Sequence, residues 1–307
     1  MSELRLDPVE KYTVVVAPER NKRPKDIWEN SNIISAECPF CPGNEEMTPP
    51  DSFSLKNNLE KWTIRTFPNK YPAFIDSSKA VSGTQEIIVE SVNHNLNMGE
   101  YSQRHLTDIL CTYKNRIISL KKKADIKYIV VFKNHGASAG ASLFHPHSQI
   151  VGLGFVPAKI IEKTKALKSL FHKNSECYYC GLAKSSNTVY ENNSFVSFIP
   201  ETARFSYECW IIPKRHKTFY EETTPVQLEH LADVILKLLK SINGLLDFPA
   251  LNLIINTGYG EKTEPFFHWN IQLVPRTAQL AGFEMATGFY INEVSALQAA
   301  SQLKNLI

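Results

Sequence analysis

The feature that most limits what this chain can become is a pattern that occurs twice. A C-x-x-C pair, Cys38/Cys41, is followed by His94 and, 51 residues later, by His145 at the head of H-P-H-S-Q. A second pair, Cys177/Cys180, is followed by His216 and, 52 residues later, by His268 at the head of H-W-N-I-Q. Matching residue types at matching spacing mark an internal repeat of about 140 residues. The elements between them recur in the same order. Strands are predicted at 62–67, 85–91, 127–133 and 147–153 in the first copy, with a helix over about 100–123. The second copy shows strands at 196–200, 207–213, 250–256 and 268–275, with a helix over about 225–243. A strand at 12–18 precedes the first copy, an irregular loop covers 38–51, and a tail over 281–303 ends in a short helix.

Composition narrows the field without pointing to a function. At about 100–200 residues per domain, 307 residues suggest two domains. Hydrophobic residues at 43% and charged residues at 21% argue for a packed globular protein over a disordered one. Basic residues number 34 and acidic residues 31, so the net charge is +3. That is too small to argue for nucleic acid or a membrane as partner. The Lys121–Lys123 run suits a solvated helix end. No apolar run approaches the roughly 18 residues of a membrane span. The opening MSELRLDPVEKY lacks an apolar signal core. A soluble, cytoplasmic protein is expected, where paired cysteines serve metal or redox chemistry.

Each copy offers two cysteines and two histidines, a tetrahedral zinc set. The expected ligands are Cys38, Cys41, His94 and His145 in one site, and Cys177, Cys180, His216 and His268 in the other. His94 and His216 are expected at strand ends, His145 and His268 at the starts of later strands. Four protein ligands leave no open position, so both metals would be structural. Iron is the alternative to zinc, above all in the second site. Two other readings stay open: plain buried thiols, and a thioredoxin-type redox pair. The redox motif normally opens a helix, and C-P-F-C-P, with its prolines, does not. Cys111 and Cys209 are expected to be inert core.

H-P-H-S-Q puts His145 and His147 two residues apart, on one face of a strand. With His145 tied to metal, His147 is held beside it, and a neutral imidazole is a good nucleophile toward phosphorus at pH 7. The preceding N-H-G-A-S-A-G-A-S, rich in small residues, lets backbone N–H groups cradle phosphate oxygens. Gln149, Ser142 and Asn134 are candidates to hydrogen-bond the phosphoryl group. Two alternatives remain for His147: a further metal-site residue, or an ordinary surface histidine. In the second copy its place is taken by Asn270, which keeps hydrogen bonding and loses nucleophilicity.

H-P-H-S-Q, together with C-P-F-C-P-G-N-E upstream and F-H-W-N-I-Q-L-V-P-R downstream, resembles the galactose-1-phosphate uridylyltransferase family of the histidine-triad superfamily. The resemblance runs from A-P-E-R-N-K-R-P to F-E-M-A-T-G-F-Y-I-N-E-V. It implies an α+β fold made of a duplicated histidine-triad-like unit, two antiparallel sheets with flanking helices. The domains would be 1–170, with the catalytic strand, and 171–307, with its degenerate copy. It implies a homodimer and ping-pong transfer through a nucleotidyl-histidine at His147. The substrates would be a nucleotide sugar and a sugar 1-phosphate or phosphate, nominally UDP-glucose and a hexose 1-phosphate. Gln149 and Ser142 would serve the phosphoryl group, Asn134 the nucleotide, and Arg20 and Arg23 the phosphates. Asn69 would bind the nucleoside, Phe67 and Phe74 would wall the base, and Glu284 would bind the sugar.

Two departures bear on the substrate. Lys70 follows Asn69 where well-studied members usually carry an acidic residue, and beyond Glu284 the family's polar residues are replaced. The chain is in this respect similar to the branch that includes ADP-glucose phosphorylase. An ADP-sugar or dinucleoside polyphosphate phosphorylase using the same intermediate is therefore the alternative. A third reading is a non-catalytic, zinc-organised protein that binds nucleotide or nucleic acid. Dispersed basic residues and widely spaced ligands speak against it.

Overall fold

A computed structural model describes residues 3–6, 13–17, 38–74, 82–184, 187–260 and 262–307. The chain divides into two compact units. The first comprises Met1–Leu96, Arg116–Val131 and Ser142–Pro157, the second Asn97–Asn115, Phe132–Ala141 and Ala158–Ile307. Helices and antiparallel strands make up both, so the fold is α+β.

In the first unit β1 (Glu3–Leu6) and β2 (Thr13–Val16) form an antiparallel pair. A single 3-10 turn, Glu45–Met47, closes the irregular loop after the first C-x-x-C. β3 (Phe53–Lys56), β4 (Trp62–Pro68), β5 (Gly83–Val89) and β7 (His147–Leu153) then lie side by side in that order, all antiparallel. Helix α1 (Gln103–Lys121) ends in this unit, and β6 (Tyr128–His135) begins in it. Every position of the α1 stripe, Leu106, Ile109, Leu110, Tyr113, Ile117 and Leu120, is fully buried. Lys121, Lys122 and Lys123 are exposed at its end, where cations suit the helix dipole. Cys111 departs from expectation. It sits at the stripe's edge, half-buried, and its Sγ accepts from Asn115 Nδ2 at 3.7 Å.

The second unit opens with α2 (Ala158–Asn174) and the short α3 (Tyr178–Leu182). Its sheet runs β11-β12-β10-β9-β8, again antiparallel. These strands are β8 (Thr188–Glu191), β9 (Phe195–Phe198), β10 (Cys209–Pro213), β11 (Leu251–Asn256) and β12 (Asn270–Pro275). Between β10 and β11 lies α4 (Pro225–Leu246). Thr224 and Gln227 form its capping box, with Pro225 at the first helical position. It runs three residues past the predicted end and stops where Asp247 and Phe248 take positive φ. The tail forms α5 (Gly282–Thr287) and α6 (Ala296–Lys304).

Several elements lie outside the sequence expectations, α2, β3 and β8 among them. α2 carries five lysines and buries only Leu167, so its apolar period is faint. β3 and β8 are four-residue edge strands, too short to display an alternation. Among the described residues no helix is long and apolar enough to cross a membrane.

One buried ion pair anchors α1 to the first unit's sheet. Arg116 meets Glu86 through two bonds of 2.8 Å, with side-chain exposures of 11% and 7%. Removing one partner strands the other charge in a poorly solvated place. Glu86→Ala should therefore cost about 3–5 kcal/mol, read as a lowered midpoint in urea unfolding. A loss below about 1 kcal/mol, the worth of an exposed pair, would show that the pair is not an anchor.

Candidate active site and metal centres

The register of the first unit's sheet lays out the site. Phe67 on β4 faces Ile87 on β5, which faces Gln149 on β7. One step along, Arg65 faces Val89, which faces His147. Directly paired residues share a sheet face, so His147, Gln149, Phe67 and Ile87 look out on the same side. The C-x-x-C loop covers that side, with Cys38 and Phe40 packed among Phe67, Ile87, Val89 and Leu143. The Phe40 ring meets His147 edge-on at 5.2 Å and Phe67 at 5.8 Å.

Between loop and sheet lies a cavity of about 260 Å³. Phe40, Phe67, Ile87 and Leu143 form its apolar wall. Asn69, Ser142, His147 and Gln149 are among the polar groups that line it. Lys70, whose Nζ donates to the Met47 carbonyl at 3.4 Å, adds a positive charge to the lining.

Hydrogen bonds settle the polarity of two of these groups. His147 Nδ1 lies 2.8 Å from the carbonyl oxygen of His145. A carbonyl only accepts, so Nδ1 carries the proton and the neutral ring keeps its lone pair on Nε2. Gln85 fixes Gln149 in the same manner. Its Oε1 accepts from the Ala73 backbone N–H at 3.1 Å, so its Nε2 donates to Gln149 Oε1 at 2.6 Å. What Gln149 has left to offer is its NH₂. Asn69 is braced by an Asx turn, its Oδ1 accepting from Tyr71 N at 2.8 Å.

The same logic applies to the cysteine–histidine sets. Ligand atoms of Cys38, Cys41, His94 and His145 lie within 4.8 Å of one another, and so do those of Cys177, Cys180, His216 and His268. His145 donates through Nε2 to the Ser91 carbonyl at 2.7 Å, which turns an unprotonated Nδ1 toward Cys41 Sγ at 3.5 Å. His94 Nδ1 lies 3.3 Å from the same sulfur. In the second set His216 donates through Nε2 to the Glu264 carbonyl at 3.0 Å, and its Nδ1 lies 3.5 Å from Cys180 Sγ. His268 Nδ1 also lies 3.5 Å from Cys180, but its buried Nε2 has no partner. Burial pushes the Cys38 thiol up to about 12, so a thiolate there calls for a cation.

Local placement differs from expectation in detail. His94 lies in the loop after β5 and His216 three residues after β10, not on the strands themselves. His145 precedes β7, and His268 precedes β12. Cys177 caps α3, so the second C-x-x-C does open a short helix, unlike the first.

Other predicted residues scatter. Arg20 and Arg23 lie outside the described residues. Phe74 packs near Phe155, at 6.5 Å between ring centroids, and does not line the cavity. Asn134 belongs to the second unit, where its Oδ1 accepts from Asn252 Nδ2 at 2.9 Å. Nearby, Gly136 has φ +85°, and a Cβ on it would lie 2.6 Å from that of Ala250, so only glycine fits. Glu284 accepts from Ala281 N at 3.0 Å and caps α5. Sequence reasoning missed Phe40 and Gln85. Only strand register and the folded C-x-x-C loop bring them to His147 and Gln149.

The second unit repeats the register with changed side chains. Phe198 faces Trp210, which faces Gln272, in the pattern of Phe67, Ile87 and Gln149. Asn270 Nδ2 donates to the His268 carbonyl at 3.3 Å, reproducing the bond made by His147. Where the first unit has Ile87 and Phe40, the second has Trp210 and Tyr179, their rings 6.0 Å apart. Both residues of that pair are bulkier than their first-unit counterparts.

Known proteins share this architecture. Residues 19–156 match the N-terminal domain of a domain of unknown function, DUF4931. Residues 102–306 match a second domain of unknown function, DUF4921. The ADP-glucose phosphorylase of Arabidopsis thaliana is 33% identical over 99% of this chain and 93% of its own. The galactose-1-phosphate uridylyltransferase of Thermotoga maritima is 27% identical over 99% of this chain and 98% of its own. The crystal structure of the Arabidopsis thaliana ADP-glucose phosphorylase with bound ADP-glucose superposes with a TM-score of 0.83 at 32% identity, covering 99% of both chains. The chain belongs to the galactose-1-phosphate uridylyltransferase family of nucleotidyltransferases, in which ADP-glucose phosphorylase is a relative.

Proposed function

We propose that the chain transfers a nucleotidyl group from a nucleoside diphosphate sugar through a covalent nucleotidyl-His147, with an ADP-sugar as donor and inorganic phosphate as acceptor. The observation that carries this reading is the proton on His147 Nδ1, fixed by the His145 carbonyl 2.8 Å away. It leaves Nε2 as the nucleophile in a residue that lines the cavity. Nε2 attacks the α-phosphorus, the bond from that phosphorus to the bridging oxygen breaks, and sugar 1-phosphate leaves with the electron pair. The same carbonyl stabilises the positive charge that the ring acquires. Phosphate then attacks the α-phosphorus, the N–P bond breaks, and a nucleoside diphosphate departs from the restored neutral imidazole.

The remaining lining groups suit this chemistry. The Gln149 NH₂ and the Ser142 hydroxyl donate to phosphoryl oxygens as charge develops. Phe40 and Phe67 wall the base, and Asn69 takes the nucleoside. Arg20, Arg23, Asn134 and Glu284 keep the roles that the resemblance implies, toward phosphates, nucleotide and sugar. Adenine is put before uridine because identity is 33% to the ADP-glucose phosphorylase against 27% to the bacterial uridylyltransferase. The chain reads as a duplication, copies 1–170 and 171–307, working as a homodimer. Exposed Phe283, Met285, Phe289 and Ile291 offer an apolar surface of the kind a second copy covers.

Both cysteine–histidine sets fit zinc: two soft thiolates and two imidazoles whose Nδ1 atoms point at the sulfurs. Bound there, the metal supplies folding energy and holds the His145 segment from which His147 hangs.

Incubation with ADP-glucose alone should raise the protein's intact mass by one adenylyl group, and added phosphate should release it as ADP. An adduct from UDP-glucose but not ADP-glucose would transfer the assignment to uridylyl donors, and no adduct from either would overturn the mechanism. His147→Ala should abolish the adduct while changing stability by no more than about 1 kcal/mol, checked by thermal unfolding. Cys38→Ser should lower bound zinc from two ions per chain to one and cost several kcal/mol of stability, read by elemental analysis and denaturant titration.

A further inference from the structure

Gln85, on β5, is buried and joins two parts of the site through three hydrogen bonds. Its backbone carbonyl accepts from Asn69 N–H at 2.8 Å, and its side-chain Oε1 accepts from Ala73 N–H at 3.1 Å. Those two bonds pin both ends of the segment 69–73, from which Asn69, Lys70 and Tyr71 line the cavity. Inside the segment the Asn69 side chain accepts from Tyr71 N–H, so the segment is held as one piece. Gln85 Nε2 then donates to Gln149 Oε1 at 2.6 Å. Gln85 pairs with Val151 and Ile87 with Gln149, so the two glutamines are diagonal neighbours on one face of the sheet. Long side chains span that diagonal.

A side-chain amide has an oxygen at one end and an NH₂ at the other, so its two ends cannot be set independently. With Gln85 Oε1 committed to Ala73, its NH₂ must face Gln149, and Gln149 must turn its own NH₂ to the cavity. If the segment withdraws, Gln85 loses that commitment. Either end of its amide then satisfies Gln149, and the pair rotates together. We propose that Gln85 is a positioning residue that couples nucleoside binding to phosphoryl recognition: a nucleoside that seats the segment 69–73 aims the Gln149 amide at the phosphoryl oxygens. Coupling is reciprocal, so a phosphoryl group bound at Gln149 also favours the seated segment. A nucleoside 5′-phosphate gains from both contacts, whereas a phosphate ester without a base meets an unaimed Gln149. The inference rests on the nucleotide-site reading of the cavity and not on the covalent step at His147.

Gln85→Met keeps the side-chain length and removes both side-chain bonds. In calorimetric titrations with AMP, Gln85→Met and Gln149→Met should each weaken binding about tenfold. Because they act through one contact, the two together should weaken it about thirtyfold and not the roughly hundredfold of independent changes. Adenosine, which has no phosphoryl group, should lose about threefold to Gln85→Met, through the loosened segment, and nothing to Gln149→Met. UMP and uridine form the parallel arm and give the same pattern if the base is uracil. Losses that multiply, or no loss with Gln85→Met, overturn the proposal, as does failure of both AMP and UMP to bind. Thermal unfolding checks that each variant is folded. If Gln85→Met is not, Gln85→Asn, one methylene too short for the diagonal, replaces it in the cycle. Adduct formation with ADP-glucose is scored on the unaltered protein. An adduct together with multiplying losses leaves the covalent mechanism standing and removes the coupling. A coupled cycle without an adduct removes the mechanism and keeps the coupling.

Discussion

The bond from His147 Nδ1 to the carbonyl two residues upstream is the constraint on which the site depends. A backbone carbonyl has no proton to give, so the tautomer is set by the chain itself. His145, which supplies that carbonyl, is locked in turn by its own Nε2 bond to the Ser91 carbonyl. Two adjacent rings thus hold opposite tautomers, one presenting Nδ1 to the sulfurs and the other presenting Nε2 to the cavity. The arrangement needs no titrating partner, because main-chain acceptors act at every pH at which the protein is folded.

Sheet register carries this local chemistry to its neighbours. Pairing β5 with β7 sets Gln149 opposite Ile87 and His147 opposite Val89, and pairing β4 with β5 brings Phe67 into the same row. A slip of one residue would send all of these side chains to the other face. The C-x-x-C loop then closes the site from above by wedging Phe40 against His147. A metal held by the cysteines of that loop would therefore be mechanically linked to the orientation of His147.

The two units have several features in common. The register rows, the cysteine–histidine sets and the side-chain bond to the carbonyl two residues upstream are common to both. What changed are side chains on that frame: His147 against Asn270, Ile87 against Trp210, Phe40 against Tyr179. The shared register leaves the difference between the two units to side-chain size and chemistry.

The repeat, the ligand sets, the long amphipathic helices and the candidate nucleophile were legible in the sequence because each rests on a local period or a fixed spacing. Leu106 to Leu120 and Leu228 to Ile242 show a period of 3.6 that any folded context must bury. Helix α2 was not legible, since its lysines mask the one buried position, and Phe74 was read as a cavity wall when it packs near Phe155 instead. By itself the sequence determined which atoms could ligate, attack or cap, because those capacities belong to residue types. Only the tertiary structure decided which nitrogen of each histidine carries the proton, which end of Gln149 remains to donate, and that Phe40 and Gln85 belong to the site. Those outcomes depend on carbonyls and amides brought together across strands by hydrogen-bond register, which no spacing along the chain records.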